Sequence, residues 1–175
     1  CKCNVCMSGD PKDKRLRSSV MVESNGTTVV IDSGPAFRQQ MLRAGVDHID
    51  GVVFTHEHKD HIAGMDDIRA FNYIHQEKVN VYATPRVQEA LKREFPYVFE
   101  DYKYPGVPEI EMHTINGLPF FVRGMEIQPV EVLHYRLPVH GFRIGDFTYI
   151  TDANAITDDE LAKVRGSKIM VINAL

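Results

Sequence analysis

The sequence predicts a mixed-sheet α/β layered domain. Apolar, β-type runs alternate along the chain with segments of helical spacing. Turn dipeptides place hairpins among them, which an all-parallel sheet would not contain. The 175 residues, 43% hydrophobic and 25% charged, suffice for one sizeable core, and no apolar run is long enough to cross a bilayer. No repeat, linker or low-complexity tract divides the chain, so residues 1–175 read as a single domain.

The elements follow in order. SVMVE and TTVVID flank Asn25-Gly26, both tolerant of positive φ, and form a hairpin. After Asp32, SGPAFRQQMLRAG reads as a helix with Pro35 early and Gly45 as its stop. IDGVVFT is a short buried strand that runs into HEHKDH. IAGMDDIRAFNYI has helical spacing, with Ile62, Met65, Ile68 and Phe71–Tyr73 on the inner side. VNVYA is a strand, and Thr84 caps a helix that starts at Pro85. The aromatic, proline-broken FPYVFEDYKYPGVPEI reads as a long loop with short turns. EIEMHTI is a strand, and PFFVRGMEIQPVEV is a strand pair joined near Arg123-Gly124. GFRI and FTYIT pair across Gly145-Asp146. Thr157 with Glu160 makes a capping box for a short helix ending at Gly166, and KIMVIN is the last strand.

The formal net charge is −4 and there is no long Lys/Arg tract, which argues against a long nucleic-acid partner and leaves a small anionic substrate open. All three cysteines fall in CKCNVC. An odd number crowded into one hexapeptide is a poor disulfide framework, so the expectation is a cytoplasmic protein whose thiols bind metal.

The chemistry concentrates in FTHEHKDHIAG, Phe54 to Gly64. His56 and His58 stand two apart at a strand end, so their side chains project the same way. Asp60 and His61 follow as the chain turns into a helix and could face a second point nearby. Neutral imidazoles plus a carboxylate suit Zn²⁺, and also Mn²⁺ or Fe. Two such ions would clamp a bridging hydroxide for attack at phosphorus or a carbonyl.

THEHKDHIAG resembles the motif of the metallo-β-lactamase superfamily, hydrolases with a four-layer αββα sandwich and metals at one edge of the two sheets. The resemblance implies His56 and His58 for a first metal, and Asp60 and His61 for a second. It also calls for a histidine after a later strand, and His134 directly follows the run VEVL. His140 is then a loop histidine or a substrate contact. The bridging carboxylate falls on Asp152 at the end of FTYIT. Asp60, His61 and Asp152 form the expected catalytic set. Asp32 ends a strand near the cluster, where it either hydrogen-bonds a ligand histidine or plays a simple turn role. His48, His75 and His113 lack ligand spacing and read as structural or surface residues. Arg38, Arg136 and Arg143 could bind a phosphate's outer oxygens, with salt bridges as the alternative for each.

CKCNVC, DPKDKRLRSS, IDSGPAFRQQML and GMDDIRAFNY together resemble the branch of the carbon–phosphorus lyase-pathway phosphodiesterase and its uncharacterised bacterial relatives. That branch implies a structural zinc on Cys1, Cys3 and Cys6. Its fourth ligand, the last metal-two histidine and the general-acid histidine have no matching positions before Leu175, so the domain is expected to be incomplete at both ends. A chain stopping at Leu175 would carry an incomplete second metal site and show poor or no activity.

The expected activity is hydrolysis of a small or cyclic nucleotide-like phosphodiester, with two active-site divalent metals and one structural zinc. Neither a membrane nor a nucleic acid is an expected partner, and a homodimer is compatible with the sequence. The rivals are a thioester or lactone hydrolase on the same dinuclear site, an RNA-processing nuclease and a non-catalytic metal-binding domain.

Overall fold

The computed structural model describes residues 1–173, so the last two residues of the apolar run KIMVINAL lie outside the described residues. Two five-stranded sheets form its centre, in the orders β1-β2-β3-β4-β5 and β10-β9-β8-β7-β6. The chain opens with a single helical turn, α1 (Asn4–Met7), and a 3-10 turn at Pro11–Asp13, neither of which the sequence reading anticipated.

β1 (Val20–Ser24) and β2 (Thr27–Ile31) make the expected antiparallel hairpin, with Asn25 and Gly26 both at positive φ. The sheet continues in parallel through β3 (Gly51–Val53), β4 (Val79–Ala83) and β5 (Ile110–Thr114). Helices α2 (Phe37–Ala44), α4 (Arg69–His75) and α5 (Pro85–Glu94) supply its crossovers. Gly45 ends α2 in the left-handed conformation and Thr84 caps α5, both as expected.

The second sheet is mixed as well. β6 (Phe120–Val122), β7 (Met125–His134), β8 (Leu137–Ile144) and β9 (Phe147–Ile150) are successively antiparallel, and β10 (Ile169–Ile172) returns parallel to β9 after α7 (Asp158–Val164).

Strand alternation builds three apolar layers. Val30, Val52, Val81 and Leu91 pack on the helix side of the first sheet. Val29, Ile31 and Val53 face Ile127, Phe142 and Tyr149 between the sheets. Val130, Val132, Val139 and Ile150 turn outward against Val164 of α7. Burial on both faces of each sheet is the physical content of the four-layer αββα arrangement. No helix among the described residues is long and apolar enough to cross a membrane.

Three expectations are corrected. IAGMDDIRAFNYI is not one helix: α3 (Lys59–Ile62), a 3-10 turn at Met65–Ile68 and α4 succeed one another, broken at Gly64. Tyr73, expected inside, is 83% exposed, because it lies two positions, about 200° around α4, from the buried Phe71. The loop after α5 contains one helical turn, α6 (Pro96–Phe99), which buries Val98. Finally, Leu137–His140 is strand, not loop. β7 and β8 form a long hairpin with a two-residue turn at Tyr135-Arg136, where Tyr135 takes positive φ. A tyrosine at positive φ costs energy that a short turn signal would not reveal.

Candidate metal centre

The six residues expected to hold the active-site metals lie at one edge of the two sheets. His56, His58, Asp60 and His61 come from the end of β3 and the start of α3. His134 comes from the end of β7, and Asp152 from just beyond β9. Asp152 takes positive φ, which turns the chain sharply at the strand end and leaves its carboxylate half-buried.

The donors form two overlapping trios, His56–His61–Asp152 and His58–His134–Asp152, each with donor atoms within 4.8 Å of one another. His61 Nε2 lies 3.2 Å from Asp152 Oδ2, and His56 Nε2 lies 3.6 Å from the same oxygen. His56 Nε2 is also 3.1 Å from His58 Nδ1. The His58 and His134 rings are 5.2 Å apart. Asp60 stands at the rim, its Oδ2 3.8 Å from His61 Nε2.

This donor set fits divalent cations: imidazoles and carboxylates converge from two sheets, and His56 is held neutral. Burial first, then the neighbouring His61 and His58, push its pKa down to about 3. For His61, burial pulls down but the Asp32 carboxylate outweighs it, so His61 keeps its proton more tightly and ligation has to release it. At Asp152, burial works upward, and the Thr151 hydroxyl with His61 and His56 brings the carboxyl below its usual range.

Asp32 lies underneath, fully buried at positive φ. Its Oδ2 meets His61 Nδ1 at 2.7 Å and accepts from the Thr55 hydroxyl at 2.8 Å, while Oδ1 accepts from the Thr55 amide at 2.8 Å. Burial pushes the Asp32 carboxyl up, and His61 and Thr55 oppose it. Of the two roles left open by the sequence, the structure places Asp32 in a hydrogen bond with His61.

His140, expected in a loop, sits in β8 opposite Glu131 because the hairpin register carries it there. Its backbone N–H donates to the Thr55 carbonyl at 3.1 Å and ties the second sheet to the ligand loop. Arg38 lies on the exposed face of α2, lining a cavity of about 880 Å³ with Met41, Phe71 and Val107, and makes no contact with the histidine cluster among the described residues. Arg143 donates to the carbonyls of Gly145, Lys163 and Arg165, tying α7 to β8. His48, His75 and His113 bond to Asp50, the Asp47 carbonyl and Asn80.

The sequence reading missed Thr55 and Arg17. Arg17 Nη1 stands 3.7 Å from Asp60 Oδ2 at the rim. The run KRLRSS offered a hint, but nothing local points it at the cluster.

Cys1, Cys3 and Cys6 bring their sulfurs within 4.8 Å of one another. The Cys3 thiol accepts from the Cys6 amide at 3.5 Å, which lowers its pKa and favours the thiolate that binds metal.

Burial also pushes His140 down. The unfolded chain then takes up that proton first as pH falls, so this residue's share of stability is present above about pH 6.5 and lost below it. His140→Gln should therefore shrink the drop in urea midpoint between pH 7.5 and pH 5. An unchanged drop would refute this account.

Residues 27–175 match a family described as a beta-lactamase superfamily domain. The chain belongs to the metallo-β-lactamase superfamily. Members of this superfamily are typically metal-dependent hydrolases. A crystal structure of a diphosphatase from the PhnP family is 39% identical, with a TM-score of 0.87 over 97% of this chain and 65% of that one. An octanoyltransferase of Porphyromonas gingivalis is 37% identical over all of this chain but only 36% of its own length. A ribonuclease Z of Methanopyrus kandleri is 31% identical over 41% of this chain and 27% of its own. The chain thus spans well under half of the curated relatives among these superfamily members, and less than two thirds of the diphosphatase.

Proposed function

We propose that this chain is the core of a metal-dependent phosphodiesterase acting on a small or cyclic nucleotide-like phosphodiester. The observation that carries the reading is the single Asp152 carboxylate shared by two groups of imidazoles. In this reading His56, His58 and His134 would hold one ion, Asp60 and His61 would hold another, and Asp152, common to both trios of donors, would supply charge to each. When bound, divalent metals supply Lewis acidity and a water of lowered pKa. The histidines keep their lone pairs on one point, and Asp152 offsets the repulsion of two cations. Arg17 at the rim is placed to meet a phosphate's outer oxygens. Cys1, Cys3 and Cys6 would supply three thiolates to a separate structural zinc.

Support for attack at phosphorus comes from the likeness to the PhnP-family diphosphatase over nearly the whole chain. Acyl hydrolysis is the second reading, favoured by the relative named for octanoyl transfer. A panel of bis-aryl phosphate, thioester and precursor tRNA, offered to the full-length protein loaded with Zn²⁺ or Mn²⁺, separates them. Phosphodiester turnover is expected, with Arg17→Ala raising KM for that substrate. Fast thioester turnover without phosphodiester turnover overturns the proposal, and cleavage of the tRNA alone assigns the chain to RNA processing.

A further inference from the structure

The hydrogen bonds beneath the cluster have a direction, and that direction ends on a metal-facing nitrogen. Thr55 Oγ1 stands 2.8 Å from Asp32 Oδ2 and 2.9 Å from His56 Nδ1. A hydroxyl has one proton to give. An ionised Asp32 can only accept, so the Thr55 proton goes to Asp32. The Thr55 oxygen must then accept from His56, which requires the proton on Nδ1. His56 Nε2 is left with its lone pair, and Nε2 is the atom that faces His58 and Asp152.

We propose that Thr55 is a positioning residue that sets the tautomer of His56 by donating its hydroxyl proton to Asp32 and accepting from His56 Nδ1. Asp32 thereby prepares two histidines at once: His61 through a direct bond to Nδ1 and His56 through the Thr55 hydroxyl. The Thr55 amide fixes the other carboxylate oxygen, so the same residue holds Asp32 in place. The proposal deepens the metal-centre reading and does not depend on which substrate is hydrolysed.

The test reads the ring directly. In metal-free protein with ¹⁵N-labelled histidine, long-range ¹⁵N–¹H correlation distinguishes the two tautomers. Wild-type His56 is expected as the Nδ1–H form, Thr55→Ser should keep it, and Thr55→Val should lose it. Zn²⁺ affinity, measured by competition with a chelating dye, should fall about 10- to 100-fold in Thr55→Val and recover in Thr55→Ser. An Nε2–H signal at His56 in the wild type overturns the proposal, as does Thr55→Val with unchanged tautomer and affinity. If Thr55→Val does not fold, the wild-type tautomer decides. Failure of the substrate panel with the Nδ1–H form intact counts against the phosphodiesterase reading alone.

Discussion

Asp152→Asn should lower phosphodiester turnover by at least roughly 100-fold, beyond what loss of a residue that only orients a ligand costs, while leaving the metal-free fold intact. The asparagine keeps the shape and tolerates the positive φ that Asp152 occupies. Its amide oxygen can still accept from the Thr151 hydroxyl, now 2.8 Å from Oδ1. The side chain belongs to none of the apolar layers. What disappears is the charge between His61 and His56, 3.2 and 3.6 Å away. The metal content of the active-site cluster should drop together with turnover, and the urea midpoint of metal-free protein should barely move. Full metal content with full turnover would sink the idea that this carboxylate is shared.

The second large effect concerns backbone approach. A Cβ at Gly64 would run into the Gly34 carbonyl and lie 2.8 Å from Phe37 Cβ and 3.0 Å from the Ser33 carbonyl oxygen. A Cβ at Gly34 would collide with the Asp60 carbonyl. The two glycines let the loop after β2 press against the ligand loop, where the Gly64 amide donates to the Ser33 carbonyl at 2.7 Å. Two of these partners are backbone oxygens and the third is a Cβ fixed to the backbone, so none can swing aside, and Gly64→Ala should destabilise by about 3 kcal/mol or more. Gly124→Ala, with nothing within 4 Å of its Cβ, should change stability by less than about 0.5 kcal/mol. Equal urea midpoints for the two variants would show that the loops separate freely.

Much of this molecule can be read from local chemistry. Asn25-Gly26 announces its hairpin, Thr84-Pro85 its helix start and Gly45 its helix stop, because each depends on φ, a missing amide or a cap within a few residues. His56, His58, Asp60 and His61 are legible because four ligating side chains follow one buried strand. His134 and Asp152 need the family resemblance to be chosen, since their partners lie in the other sheet. Three features escape local reading. At the helix break the Gly64 amide donates to the carbonyl of Ser33, a residue far upstream, instead of continuing a helix. The β7–β8 turn uses Tyr135-Arg136, which carries no turn chemistry, so His140 passes for a loop residue. Thr55 looks like one more β-branched strand residue until Asp32 is seen beneath it, 23 positions away.

The centre also joins distant parts of the chain, since His61 and Asp152 are 91 residues apart. An ion held between them closes that long loop, as a covalent cross-link would, and removes conformational freedom from the unfolded chain. Chelation would therefore remove that closure. The two sheets would then be held by their apolar interface and by thin ties such as His140 to Thr55.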